Sequence, residues 1–277
     1  MIKFYMKRNL IFLACFLLSL NVVFAGYISL STIITTDIMT TNITNANIQI
    51  TNFGNEPAYG VTLSLISDHF ISEPLFIGRT DVNEPIDANM TLISIKPLKE
   101  GSYFAVLLTQ YTDANGYPLS TISPMNVVYK NNFQSRVFAT AKEVSISEND
   151  EKKISVHLKN LDTTPHQVTV NIFLSNEFSS EETKKIIRID PKGEKDLSFK
   201  IKNIGGLAGS NYIALISVEY EENYHYSGYT ICNIKVSASR KIPDFLILGV
   251  ALALILTFII LLIKDKKAKL KTQKKRR

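Results

Sequence analysis

The side chains able to do chemistry in this 277-residue chain are few and scattered. Its four histidines, His69, His157, His166 and His225, fall in no His-x-x-His or His-Glu-x-x-His spacing that would set two imidazoles on one face for a metal, and no cysteine stands near to complete a zinc set. There is no Gly-x-Ser-x-Gly elbow to expose a nucleophile and no glycine loop to cradle a phosphate. The densest run of oxygen ligands is Asp81-Val82-Asn83-Glu84-Pro85-Ile86-Asp87-Ala88-Asn89. Calcium takes roughly six to eight such oxygens, but this spacing is not that of an EF-hand and lacks its central glycine, so it reads as a polar inter-strand loop. Ser147-Glu148-Asn149-Asp150-Glu151 reads as a turn. The residues therefore point to no catalytic group, no metal and no cofactor, and to a protein that is not an enzyme.

Contact chemistry is better represented. Tyr220, Tyr224, His225, Tyr226 and Tyr229 crowd one stretch, bracketed by Glu219, Glu221 and Glu222. Tyrosine-rich loops supply contact area at low entropic cost, so Tyr224, His225 and Tyr226 are the candidate partner-binding residues, for a protein or a glycan. If Tyr224 and Tyr226 pack on their own strands instead, that reading fails. Asn42-Ile43-Thr44 and Asn89-Met90-Thr91 are N-glycosylation sequons, making Asn42 and Asn89 candidate acceptors.

The elements that must position these residues are strands. Ile154, Val156 and Leu158 alternate with Ser155, His157 and Lys159, and Val168, Val170, Ile172 and Leu174 alternate with Thr169, Asn171 and Phe173. A period of two buries one face and leaves the other mostly wet. By that parity His157 faces solvent, while Cys232 shares a side with Ile234 and Val236 and should be a buried, inert thiol. Turn signals punctuate the runs: Phe53-Gly54-Asn55, Pro191-Lys192-Gly193 and, most strongly, Asn115-Gly116, whose residue types suit a type I′ hairpin. No amphipathic helix is evident.

The strands come in two copies. Asn47–Leu65 aligns with Lys153–Ile172, and Gly101–Tyr111 with Gly209–Tyr220, pairing Tyr103 with Tyr212 and Tyr111 with Tyr220. About seven short strands in about 105 residues argue for an Ig-like β-sandwich in each copy. The strand–turn–strand pattern from Ile48 to Leu65, with Gly101-Ser102-Tyr103 opening a late strand, resembles CARDB-type and NPCBM-associated bacterial and archaeal surface domains. The resemblance spans Ile43–Lys130 and Val144–Ala238, and Asn160-Leu161-Asp162 departs from it where Asn52-Phe53-Gly54 stands in the first copy. It implies extracellular, repeat-built, non-catalytic modules.

The chain termini place these sandwiches. Residues 1–25 read as a signal peptide: Lys3, Lys7 and Arg8 precede the apolar Leu10–Leu20, and Val23-Phe24-Ala25 offers cleavage between Ala25 and Gly26. Phe245–Ile263 is an unbroken apolar run, about 28 Å as a helix and long enough to span a bilayer. Lys264, Lys266 and Lys267 open a basic tail (264–277) that fixes this flank in the cytoplasm. The net charge of +6 and basic pI thus belong to the tail and signal; residues 26–130 carry four cations against nine anions and residues 131–241 carry fifteen against fourteen, so nucleic acid finds no support as a partner. Only Cys232 remains beyond the signal, so no intrachain disulfide forms.

The sequence therefore predicts an all-β protein of two tandem Ig-like β-sandwich domains (26–130 and 131–238), a stalk (239–244) and one C-terminal transmembrane helix (245–263). It would be a type I single-pass cell-membrane protein with its N-terminus outside, or an endoplasmic-reticulum membrane protein in a eukaryote, where the terminal Lys274-Lys275-Arg276-Arg277 fits a retrieval signal. The expected function is adhesion, scaffolding or protein–protein interaction. The alternatives are an accessory subunit of a membrane secretion or envelope complex, resembling translocon-associated subunits in layout, and a glycan-binding module. The first sandwich would form the outer, acidic end.

Overall fold

The structure is a computed structural model that describes residues 26–237. The predicted signal peptide, stalk, span and tail, with Lys264, Lys266 and Lys267, lie outside the described residues. All seventeen elements among the described residues are strands. The first repeat holds β1 (Leu30–Thr36), β2 (Ile43–Asn52), β3 (Ala58–Ile66), β4 (Phe70–Ile71), β5 (Leu75–Thr80), β6 (Ile86–Ser94), β7 (Gly101–Thr112) and β8 (Pro118–Tyr129). The second holds β9 (Val137–Ala141), β10 (Val144–Ser147), β11 (Glu151–Asn160), β12 (His166–Leu174), β13 (Phe178–Ser180), β14 (Lys184–Ile189), β15 (Glu194–Asn203), β16 (Asn211–Glu221) and β17 (His225–Ser237).

Each repeat is a two-sheet, Ig-like sandwich, and the strand orders match. Sheet β1-β2-β6-β4 faces β5-β3-β7-β8 in the first, and β9-β11-β15-β13 faces β14-β12-β16-β17-β10 in the second. Even the crossing of the leading segment to the other sheet recurs: Met39 bridges Tyr129 in parallel, as β10 pairs in parallel with β17. Alternation builds the two cores. Ile48, Ile50, Leu63, Met90, Leu92, Tyr103 and Leu107 fill one, and Ile154, Val156, Leu158, Val168, Val170, Phe199 and Ile234 the other. Cys232 is fully buried in the second, its Sγ donating to the Lys142 carbonyl at 3.1 Å, and His157 is half exposed beside Asp196.

The duplicated asparagine has a clear physical role. Asn52 is buried; its Oδ1 accepts from Gly54 N at 2.9 Å and Ser29 N at 3.2 Å, and its Nδ2 donates to the Glu56 carbonyl at 2.7 Å. Asn160 repeats this, accepting from Asp162 N at 2.8 Å and donating to the Thr164 and Asp190 carbonyls. The side chain thus satisfies backbone groups that a buried turn would otherwise orphan. Asp162 can replace Gly54 in the second turn because this pinning needs only a backbone N–H at that position.

Two expectations change. The Asn115-Gly116 hairpin exists, but only Gly116 takes positive φ (79°), so it is not a type I′ turn. The Asp113 carboxylate accepts the N–H groups of Asn115 and Tyr117 at 2.9 and 2.8 Å and organises a longer loop instead. More important, β7 and β16 are not wet on one face. Tyr103, Ala105 and Leu107 point into the first core, yet Phe104, Val106 and Leu108 are buried as well, with Ile122 and Leu215, in a third apolar cluster edged by Ile66, Phe173 and Ile213. That cluster is the seam between the sandwiches, which lie side by side with their sheets facing, not strung end to end with an outer and an inner member.

The two repeats are packed in opposite directions. β17 meets β7 in parallel at His225 and Gly101, which joins the facing sheets, so β16 runs against β7. Gly101 has φ 149°, and a Cβ there would lie 2.0 Å from the His225 carbonyl oxygen, so this approach requires glycine. One end of the molecule therefore gathers Gly26–Leu30, Asn52–Glu56, Asp113–Tyr117, Ser175–Glu177, Ile204–Ser210 and the exit at Ser237. The other gathers Ser67–Phe70, Ile95–Gly101, Tyr129–Arg136 and Glu221–His225.

Candidate functional site

The same connection of each repeat crosses the seam. Ser67-Asp68-His69-Phe70 joins β3 to β4, and Ser175-Asn176-Glu177-Phe178 joins β12 to β13. Phe70 and Phe178 anchor each connection in its own core, which turns the preceding residue outward toward the other sandwich. Because the repeats are antiparallel, the two crossings sit at opposite ends of the seam. At the exit end Glu177 is buried and accepts from Ser120 N at 2.5 Å and Ser120 Oγ at 2.8 Å, while Asn176 N donates to Ser120 Oγ at 2.8 Å. Both Glu177 carboxylate oxygens are thus satisfied.

At the far end the chemistry differs. His69 Nε2 lies 3.3 Å from Glu219 Oε2, and His225 Nε2 lies 3.7 Å from the same oxygen. Glu219 Oε1 accepts from Ser217 Oγ at 3.1 Å, but Oε2 is buried and takes no hydrogen bond. Glu219 is only 7% exposed and His225 only 4%. His225 Nδ1 sits 2.8 Å from the Ser102 carbonyl, which can only accept, so Nδ1 carries the proton and Nε2 presents its lone pair to the centre. Tyr103 stacks on the His225 ring at 3.9 Å and meets His69 edge-on at 4.9 Å, fixing both imidazoles. Tyr103 is itself held by its hydroxyl donating to the Lys99 carbonyl at 2.7 Å. Burial lowers the pKa of His225, offset in part by the Ser102 carbonyl and Glu219, and raises that of Tyr103. The cluster opens onto a cleft of about 400 Å³ whose walls include Asp68, Lys96, Gln167, Thr169, Lys184 and Glu221. Ion pairs Lys184–Asp68 (3.0 Å) and Lys99–Glu221 (3.0 Å) bridge the sandwiches around it.

The residues singled out from sequence are distributed differently. His225 does not belong to an exposed aromatic tip, since it is buried beneath the connection that carries His69. Tyr226 is half-buried and stacks on Tyr220 at 4.7 Å, so one ring face is occupied. Tyr224 is 37% exposed and stacks on Phe133 at 3.8 Å. Asn42 and Asn89 are exposed, the latter bonded to Asn47 at 3.0 Å. The acidic run from Asp81 to Asn89 does not converge: Asp81 takes Arg79 at 2.6 Å, and Asp87 takes Gln49 at 2.9 Å. His166 is buried between Asp162 and Glu222. Local spacing implies no metal-ligating set, whereas His69, Glu219 and His225 converge from three segments of two repeats. The readable signal was the aligned Ser-Asp-His-Phe and Ser-Asn-Glu-Phe connections, each placing a polar group before a core phenylalanine.

An exposed apolar patch also lies toward this far end. Ile43, Ile93 and Ile71 stand in one lateral row across β2, β6 and β4, all exposed on the outer face of the first sheet, with Ile95 exposed just past the end of β6.

No protein-family model matches the chain, and no curated protein matches it. Among solved structures it is similar to Escherichia coli alpha-2-macroglobulin in its native conformation, at 9% identity and a TM-score of 0.30, covering 75% of this chain and 17% of that one. It is likewise similar to Salmonella alpha-2-macroglobulin reacted with methylamine, at 10% identity and 0.32, covering 76% and 16%. The chain thus spans less than a fifth of those chains, and the Ig-like assignment rests on its own strand order and register.

Proposed function

We propose that the protein is a type I, single-pass membrane protein whose fused pair of sandwiches works by binding a protein partner outside the cytosol, not by catalysis. The observation that carries this reading is the row Ile43–Ile93–Ile71. Exposed isoleucines in lateral register form a continuous apolar surface, which a free-standing domain rarely leaves uncovered. The partner is a protein with an apolar surface and a cationic rim, because residues 26–130 carry nine anions against four cations. The resemblance of the repeats to CARDB-type surface modules supports the same class of function.

The fold supports the membrane placement. The chain leaves the sandwiches at Ser237, eight residues before the predicted span at Phe245. At that same end Phe53, Tyr117, Ile204 and Leu207 are exposed. Both sandwiches would rest these apolar tips at the bilayer interface and raise the Ile43–Ile93–Ile71 row and the seam cleft away from it. The accessory-subunit role is the form of this function that the short tether favours, since a partner in the same membrane is always within reach.

The test is site-specific photo-crosslinking in the native membrane, with a photoreactive residue at Ile93 or, as control, at the exposed Ile186 of the second sandwich. One stoichiometric protein adduct at Ile93, absent at Ile186 and lost with the I43D/I71D double variant, is expected. Identical adducts at both positions, or none at Ile93, would refute the binding surface.

A further inference from the structure

We propose that His69, Glu219 and His225 form a site for one divalent transition-metal ion, zinc by ligand chemistry, that clasps the two sandwiches at the far end of the seam. The three ligand atoms lie within 4.8 Å of one another; Glu219 and His225 are buried, and the His69 side chain is 12% exposed. A tetrahedral zinc with bonds of about 2.0–2.1 Å holds its ligand atoms roughly 3.3–3.4 Å apart. The His69–Glu219 separation of 3.3 Å already meets this, and the His225–Glu219 separation of 3.7 Å needs a shift of only a few tenths of an ångström. Two imidazoles and one carboxylate suit zinc and its neighbours; calcium and magnesium prefer oxygen donors throughout.

Two observations separate this cluster from a chance meeting of polar side chains. Glu219 Oε2 is buried without a hydrogen-bond donor, an expensive arrangement that a cation relieves. His225 has the second-sphere support that ligating histidines show, an Nδ1–H donated to a backbone carbonyl, so its free lone pair is Nε2 and that atom faces Glu219. The equivalent crossing at the other end makes the contrast. There Glu177 meets Ser120 with all its oxygens bonded and nothing left for a metal. The fourth position faces the cleft lined by Asp68, Lys96 and Glu221, where a water completes the shell. One ligand belongs to the first sandwich and two to the second, so metal binding and seam closure are one equilibrium.

The experiment uses the full chain in detergent micelles, stripped with a chelator and titrated with zinc, and separately with cobalt as a spectroscopic probe. We expect one saturable equivalent, a visible cobalt d–d absorption of tetrahedral intensity, and a melting temperature raised by about 5–10 °C at a hundredfold excess over Kd. H69Q, E219Q and H225Q should each abolish the cobalt band, while H157A, at the exposed histidine beside Asp196, should leave it intact. If H225Q fails to fold, H69Q decides, because His69 sits on a connection whose anchor, Phe70, is untouched. Absence of saturable uptake by the unmodified protein, uptake that persists in H69Q and E219Q, or uptake lost only in H157A would overturn the site. None of these outcomes bears on the Ile93 crosslink, so the two proposals stand or fall separately.

Discussion

Leu215→Ala tests whether the seam makes the two sandwiches one cooperative unit. Leu215 is fully buried on β16, on the face that points away from its own core and against Phe104, Val106, Leu108 and Ile122 of the first repeat. Truncating a buried leucine costs about 2–5 kcal/mol, the lost transfer energy plus the cavity left behind. For a unit of this size each kcal/mol lowers the melting temperature by roughly 2–4 °C, so a cost near 3 kcal/mol predicts a fall of about 6–12 °C. Differential scanning calorimetry of the full chain in detergent reads both the shift and its shape. If the seam couples the repeats, the native protein unfolds in one transition and L215A moves all of it. The exposed Ile33→Ala serves as control and should stay within about 0.5 kcal/mol of the native protein. Two separate native transitions of which L215A moves only one, or an L215A shift no larger than that of I33A, would refute the reasoning.

The turn asparagines should behave alike despite low local identity: N52A and N160A each leave backbone partners orphaned and should cost about 2–4 kcal/mol by chemical denaturation, and N52D and N160D should also destabilise, since a carboxylate cannot donate to the Glu56 or Thr164 carbonyl. The chain contains no tryptophan, so F53W in proteoliposomes is a single reporter; brominated lipid should quench it, and unquenched emission would contradict the proposed resting of this end on the bilayer. Cys232, whose thiol burial pushes up to about 11, should stay unreactive toward a thiol reagent until the protein unfolds, and rapid native labelling would contradict its placement. The Asp113, Asp150 and Asp162 carboxylates are held below their ordinary value chiefly by the backbone N–H groups of Tyr117, Glu151 and Thr163. Their stabilisation is complete above the unfolded value near 3.9 and disappears as pH falls through the lower folded values, so the melting temperature should drop below about pH 4, less steeply in D162N, and a rise there would be inconsistent.

Most of the strand framework was legible because its code is local. Ile154, Val156 and Leu158 alternate with polar residues, and the structure buries them as that parity requires. The repeat was legible for the same reason, since Asn52 and Asn160 each close one turn through bonds to the residues two and four positions on. The seam was harder to see but left a trace. Tyr103-Phe104-Ala105-Val106-Leu107-Leu108 is apolar on both parities, and so is Tyr212-Ile213-Ala214-Leu215-Ile216. An unbroken apolar run demands cover on both faces of a strand. Reading each run as half of an isolated sandwich supplied cover for only one.

The same geometry explains why the histidine cluster was invisible to spacing. A duplicated strand pair with two apolar faces has a self-complementary outer surface, and packing it face to face with its copy, reversed, buries both outer faces at once. Reversal sends the β3–β4 connection and the β12–β13 connection to opposite ends of the seam, so each meets a different environment, although the two segments descend from matching positions. Ser-Asp-His-Phe then faces Glu219 and His225, while Ser-Asn-Glu-Phe faces Ser120. The divergence of His69 from Glu177 is therefore a consequence of where the reversal puts them. At the exit end hydrogen bonds complete the contact, and at the far end a carboxylate oxygen is left for a cation. If that is correct, a chain carrying H69E and E219S, which copies the Glu–Ser pairing of the exit end, should close the seam without metal. It should melt at the same temperature with and without chelator, whereas the native protein should not.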